Sequence, residues 1–386
     1  MGHRACRRFS CQPRSALDHR PDVVGRWRCA ADPAQSGVAS RPCLLEGAKT
    51  RMTYVSDIRE QAQQAMDPAS WNYLERGAGE GHTRSAASAA WQRIALRPRI
   101  LRGVASVDTR THALGCAISV PVLTGPTGRA TRFCAEGELA VAQAVRATGG
   151  AAILPSSMAP SFAALRVREP EAILWQQLYP MADRDRARDL LAGLRGAGCS
   201  AVVLTVDLLP AGDATLPPLA PAEWEVAASP AGRSMFVAAT LDDLAWLCAE
   251  AGMPVAVKGV LHPGDAAECI AAGASALIVS NHGGNQMDTV LSTADALSDI
   301  VAAAAGREVY VDGGIRDGAS VFKALALGAR GVLVGRPTAY ALASGGSHGV
   351  RDLLRFFARD LERTMALCGA ADIAAIDPMM IVPSAS

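Results

Sequence analysis

Three groups of residues in this chain could do chemistry, and each closes a short apolar run. His282 stands in SNHGGNQMD, directly after ALIV. A neutral imidazole there can take a proton near pH 7. Asp207, which ends AVVLTVD, could orient that ring and stabilise its charged form. Lys258 ends VAVK in PVAVKG. It could serve as a Schiff-base nucleophile, as a fixed cation beside an electron-rich ring, or as half of a structural ion pair. The third group is VDGGIRDG and VGRP. There Gly313 and Gly314 let backbone N–H groups approach an anion, while Arg316 and Arg336 supply planar charge-assisted donors. Two Gly-plus-Arg clusters point to a phosphorylated cofactor or substrate. No second His or carboxylate sits at ligand spacing around His282, and no Cys/His cluster has zinc spacing, so no metal site is expected.

The elements that must position these groups repeat one unit from residue 120 onward. A short apolar run ends in a polar residue, and an Ala/Leu-rich helical stretch follows. The runs are PVLTGPTG, AAILPSS, AILWQQLY, AVVLTVD, PVAVKG, ALIVSNHGG, VYVDGG and GVLVGR. Continuous apolar strands mark a parallel sheet covered on both faces. Eight such units predict an α/β fold, a (β/α)8 TIM barrel. A doubly wound sheet would want a GxGxxG turn after its first strand, and none is present. Active sites of such barrels lie at the carboxyl ends of the strands. Thr127, Ser156, Gln177, Tyr179, Thr205, Asp207, Lys258, Ser280, His282, Asp312 and Arg336 should therefore converge on one mouth.

Composition removes several classes. Lys+Arg 38 against Asp+Glu 37 leaves a formal charge of +1, with no basic excess for nucleic acid. No apolar run approaches the ~18 residues of a membrane span. Aromatics are only 5% of the chain, so Ala, Val, Leu and Ile must build the core. The ten cysteines are scattered without CxxC pairing, as in reduced cytoplasmic proteins. Residues 1–51 carry nine Arg and four Cys with no helix or strand period. They could be a targeting or nucleic-acid arm, but they read as a disordered extension without a secretory signal. The folded domain is expected over 52–386. It opens with a short helical segment in which Ile58, Ala62 and Met66 recur at helical spacing behind Ser56 as N-cap.

Taken together, SNHGGNQMD, VDGGIRDGASVFKALALGARGVLVGRP, VAVKG, LTVD and QQLYP resemble the FMN-dependent 2-hydroxy acid oxidases and dehydrogenases. The resemblance runs from about residue 55 to about 375 and includes YLERGAGEGHT and RIALRPRIL. It implies FMN at the barrel mouth, with its phosphate at strands 7 and 8. It also implies flavin contacts from Pro126, Thr127, Gly128, Ser156, Gln177, Thr205, Lys258 and Ser280. Asp312, Gly313, Gly314, Arg316, Gly335 and Arg336 would hold the ribityl phosphate. His282 matches the catalytic base, Asp207 its carboxylate partner, and Tyr73 and Tyr179 the two substrate-facing tyrosines. The implied reaction takes the hydroxyl proton to His282 and the α-hydrogen to the flavin, and yields a 2-keto acid. Reoxidation would be by oxygen or another acceptor, in a homo-oligomer.

The resemblance fails at the substrate carboxylate. Two arginines hold it in the family. Asn285 occupies one of those positions here, and Ala214 aligns with the other. Asn is neutral and lacks the guanidinium fork. Arg129, Arg132 or His82 could compensate; otherwise the substrate is bulkier, esterified, amidated or carrier-bound. Only about 30 residues, with Trp224 among them, separate Asp207 from the next helix, which leaves a short lid. Two other readings follow from the same barrel: a non-redox flavin isomerase, and a flavin-binding protein without turnover.

Overall fold

The computed structural model describes residues 54–208 and 239–382. The expected extension 1–51 and the positions of Ala214 and Trp224 lie outside the described residues. Eight strands close into a barrel: Val122–Thr124, Ala151–Leu154, Ile173–Leu178, Ala201–Thr205, Val255–Val260, Ala276–Val279, Glu308–Val311 and Gly331–Val334. Every barrel pairing is parallel, and the eighth strand closes onto the first through Val334 opposite Thr124. The expected (β/α)8 architecture is what the chain adopts.

Strand side chains alternate between two cores, as the twofold period of a strand requires. One residue from each strand, in order Leu123, Ile153, Trp175, Val203, Ala256, Ile278, Tyr310 and Leu333, fills the barrel interior. Their neighbours, such as Val122, Ala152, Leu174, Val202, Val257, Leu277, Val309 and Val332, face the helices. With few aromatics available, two of them centre the interior: Trp175 meets Tyr310 edge-on, centroids 5.6 Å apart at 86°. A hairpin, Thr111–Ala113 with Cys116–Ile118, was not foreseen from the repeat pattern. It adds Ala113 and Ile118 to the interior cluster, and the Leu114 amide donates to Glu308 at the start of the seventh strand. The amino-terminal end of the barrel is thereby plugged, which leaves the carboxyl end for a site.

The Ala/Leu-rich segments form helices Glu138–Thr148, Arg184–Gly196, Leu241–Ala251, Pro263–Ala271 and Gly318–Ala326, as expected. Their ends follow from local chemistry. Thr240 and Asp243 make a reciprocal capping box, and Gly149 and Gly252 end their helices in the left-handed conformation. Ahead of the barrel, Tyr54–Ala65 buries Val55, Ile58 and Ala62. That helix starts before Ser56, so Ser56 lies inside its first turn and is not the cap. Pro68–Glu75 and His82–Arg93 follow. Among the described residues no helix is long and apolar enough to cross a membrane, and the six described cysteines are unpaired.

The helix Gly318–Ala326 sits against the last helix with no room for a side chain at its start. A Cβ on Gly318 would lie 2.2 Å from the Leu361 amide nitrogen, and the Gly318 amide donates to Asp360 Oδ2 at 2.7 Å. Gly318→Ala should therefore force the two helices apart and cost about 1–3 kcal/mol. A thermal midpoint lowered by several degrees is the expected reading; an unchanged midpoint would show that this contact is not rigid.

Candidate active site

A cavity of about 620 Å³ opens at the carboxyl ends of the strands. Its wall contains Tyr73, Pro126, Thr127, Gly128, Arg129, Gln177, Tyr179, Thr205, Lys258, His282, Asn285, Asp312, Gly313, Gly314, Arg316, Gly335 and Arg336. Three residues expected at the mouth stand behind this wall. Ser156 is turned onto Gln177, donating its hydroxyl to the Gln177 carbonyl at 2.7 Å and its amide to Oε1 at 3.0 Å. Ser157 lines the cavity in its place. Ser280 and Asp207 act through neighbours.

Asp207 Oδ1 lies 2.9 Å from His282 Nδ1. The carboxylate fixes the proton on Nδ1 and leaves Nε2 as the basic nitrogen. Burial would raise the Asp207 pKa, but the charge of Lys258 and the hydrogen bond from His282 outweigh it, and the carboxyl is held below its ordinary range. His282 itself has φ +54°, a conformation that costs a non-glycine residue about 1–2 kcal/mol. Its backbone is pinned on all sides: its amide donates to Ser280 Oγ, Gly283 O accepts from Arg336, and Gly284 O accepts from the Ala78 amide. The ring is aimed by a backbone that the surroundings over-determine.

Lys258 donates to Ser280 Oγ at 2.8 Å and pairs with Asp312 Oδ2 at 3.2 Å. Burial alone would lower its pKa; Asp312 and then Asp207 reverse the effect, and the ammonium is kept charged. A Schiff base needs the free amine, which this ion pair does not favour. The ion pair is real, and because Lys258 also reaches the cavity it doubles as a fixed cation there.

The anion cradle arises differently from the expectation. Gly313 and Gly314 have φ +84° and +77°. A Cβ on Gly314 would stand 2.2 Å from Ala87 O, so the glycine is demanded by the helix His82–Arg93. That helix also captures the carbonyls: Trp91 Nε1 donates to Gly313 O at 2.7 Å and Ser88 Oγ to Gly314 O at 3.1 Å. Because each peptide plane is trans, the next amides, of Gly314 and Ile315, point the opposite way. Neither finds an acceptor among the described residues. The helix that starts at Arg336 has no side-chain cap at Gly335. Among the described residues the Arg316 guanidinium donates only to the neighbouring Ile315 carbonyl. Burial holds its pKa below the usual value against the pull of Tyr340 and Glu75. Free amides, an uncapped helix start and a guanidinium in want of acceptors could together hold an anion. Arg336 is more committed: it donates to the carbonyls of Leu74, Gly283 and Arg76. It fastens the amino-terminal segment to the mouth as well as charging it. Two more polar atoms at this wall, Gln177 Nε2 and Asp312 Oδ1, are buried without a partner among the described residues. A donor and an acceptor left open beside the anion site fit a flavin mononucleotide, whose ring carbonyls and ribityl hydroxyls would satisfy them.

Arg76 also lines the cavity and was missed in the sequence. It follows Tyr73 by three residues at the end of one helix, and that spacing alone places both on one side. His82 is not part of the wall. Among the described residues no three His, Cys, Asp or Glu side chains are grouped as metal ligands.

The profile of the FMN-dependent dehydrogenase family matches residues 62–383. The sequence is 34% identical to 2-hydroxyacid oxidase 2 of Homo sapiens, over 85% of this chain and 97% of that protein. It is 37% identical to glycolate oxidase 1 of Oryza sativa subsp. japonica, over 84% and 94%. A crystal structure of mandelate oxidase with (S)-2-phenylpropionate superposes with a TM-score of 0.75 at 33% identity, covering 85% of this chain and 97% of that one. A mandelate oxidase variant holding a C4a-OH-FMN adduct matches with a TM-score of 0.74, at 33% identity over 83% of this chain and 97% of that one.

The Asp207 geometry carries a pH signature. Its folded pKa lies below the unfolded value of about 3.9, so its stabilising contribution is present above about pH 4 and is lost as pH falls through the folded pKa. Urea unfolding of the holoprotein should therefore find wild type more stable than Asp207→Asn at neutral pH, with the gap closing on acidification. A gap that is constant down to pH 3 would contradict the pairing.

Proposed function

The chain belongs to the FMN-dependent dehydrogenase family and is an FMN-dependent oxidoreductase acting on CH–OH, and from that premise we propose how its own residues oxidise a 2-hydroxy acid to the 2-keto acid. The observation that carries the reading is His282, paired with Asp207 behind it and facing the same cavity as the anion cradle. His282 Nε2 is the base that takes the substrate hydroxyl proton. The Asp207 carboxylate holds the ring and stabilises the imidazolium that results. FMN, when bound, accepts the two electrons released from the substrate carbon. Gly314, Ile315, Gly335 and Arg316 would hold its phosphate, Gln177 the ring carbonyls, and Asp312 a ribityl hydroxyl. Lys258 keeps a positive charge at the cavity wall, where negative charge gathers on reduction. Thr127, Thr205, Pro126 and Gly128 complete the wall around the ring. Tyr73 and Tyr179 face the substrate, and Asn285 offers a neutral amide beside it.

We place the enzyme in the cytoplasm, a reading supported by its unpaired cysteines. Oxygen or another oxidant would take the electrons onward. Ile100 and Leu101, 77% and 96% exposed and adjacent in sequence, support self-association.

Anaerobic addition of glycolate, lactate or mandelate to the purified yellow protein should bleach the flavin band. His282→Ala should slow that reduction by roughly 10²–10⁴-fold with FMN still bound; unimpaired reduction would remove His282 as the base. Arg316→Ala should release FMN on gel filtration while the fold persists. A variant that keeps its full flavin content would take Arg316 out of the phosphate site.

A further inference from the structure

Three guanidinium groups crowd one tyrosine at the rim of the cavity. The Cζ atoms of Arg76, Arg129 and Arg132 lie 4.9, 5.3 and 5.6 Å from the centroid of the Tyr73 ring. All four residues line the cavity that contains His282. They come from two separate segments: Tyr73 and Arg76 from the end of Pro68–Glu75, Arg129 and Arg132 from the turn after the first barrel strand. Arg129 is held at φ +63°, a conformation that costs a residue with a side chain about 1–2 kcal/mol.

The charge around them is uncompensated. Among the described residues none of the three has a carboxylate within ion-pair distance. Nearby arginines do: Glu75, between Tyr73 and Arg76 in sequence, takes Arg59 at 2.7 Å and Arg84 at 3.1 Å and also binds the Tyr340 hydroxyl. Asp67 feels the field of Arg132, but one of its oxygens caps the amides of Ala69 and Ser70. Three like charges repel, and the face of one aromatic ring offsets that only weakly. An oxyanion set among the three would balance them, and guanidinium forks are suited to bind one. Gly128 keeps the approach open, since a Cβ there would stand 3.4 Å from the Tyr73 hydroxyl and 3.0 Å from Ser157 Oγ.

We propose that Arg76, Arg129 and Arg132 form an oxyanion-binding collar on Tyr73 that recognises the acidic group of the substrate, a carboxylate or a phosphate. The assignment of that anion to a substrate rests on the oxidoreductase reading above; the collar as an anion site does not.

Two measurements on the FMN-loaded protein, in which the cradle is filled, separate these claims. The first is calorimetric binding of inorganic sulfate. Wild type should bind it, the Arg76→Ala/Arg129→Ala/Arg132→Ala triple variant at least about tenfold more weakly, and the corresponding Lys variant in between. Absent or unaltered binding overturns the collar. The second is anaerobic flavin reduction by 2-hydroxyvalerate, 2-hydroxyglutarate, 3-phosphoglycerate and the neutral 2-hydroxy-2-phenylacetamide. The triple variant should need about tenfold more of the acids for half-saturation and no more of the amide. The acid most affected identifies the group as the first carboxylate, a second carboxylate or a phosphate. Equal effects on acids and amide overturn substrate recognition. Sulfate bound through the arginines, with no hydroxy compound reducing the wild type, would sink the oxidoreductase reading and leave the collar standing.

Discussion

One hydroxyl joins the chemistry of three strand ends. Ser280 Oγ accepts from Lys258 Nζ at 2.8 Å and from the His282 amide at 3.1 Å, and donates to Asp312 Oδ2 at 3.0 Å. A serine hydroxyl has one donor and two acceptor sites, so this one is fully used. Ser280 is completely buried, and buried charges persist only when paired and hydrogen-bonded. The ammonium and its carboxylate are therefore held at a set separation, and the same atom pins the backbone that carries the His282 imidazole. Loosening it would leave Lys258 and Asp312 under-satisfied and would free His282 from its left-handed conformation. Lys258 and His282 are thus not independent features. They share a single anchor.

A second dependence runs outward, from the barrel to the segment before it. The amides of the anion cradle point into the cavity because Trp91 and Ser88 hold the opposing carbonyls. Arg336 in turn clasps the carbonyls of Leu74 and Arg76, on the stretch that carries Tyr73. Barrel and amino-terminal helices therefore build one site between them, and a barrel without those helices would lack one wall of its mouth and the orientation of the Gly313–Gly314 turn.

What the sequence made legible was whatever depends on local pattern. Eight apolar runs ending in polar residues gave the barrel and the convergence of Thr205, Lys258, His282 and Asp312. The residue types of His282 and Asp207 gave their pairing. What escaped depends on contacts between distant segments. Nothing local tells that Gly314 is required by Ala87, some 227 residues away, or that Ser156 turns inward to Gln177 while Ser157 faces the cavity. The hairpin plug carries no repeat signal. Arg76 lies outside the barrel pattern, so a search along strand ends passes over it. Ser280 could be placed at a strand end, but its role as the shared hydrogen-bond centre needs the positions of three other side chains.

The distribution of positive charge in the cavity follows from these constraints. Lys258 is balanced by Asp312, while Arg316 awaits an anion and Arg336 is bonded to carbonyls. Asn285 offers Oδ1 to Arg336 at 3.4 Å. A guanidinium in place of that amide would bring a second cation beside Arg336, one that only a bound carboxylate could balance. A neutral acceptor at 285 relieves this and completes the Arg336 clasp. The attraction for an acidic substrate then has to come from elsewhere on the wall, and the half-exposed rim is where it is cheapest to maintain, because water screens the mutual repulsion of Arg76, Arg129 and Arg132 until an anion replaces it. Affinity for the acid and protection of the phosphate clasp are thereby separated in space.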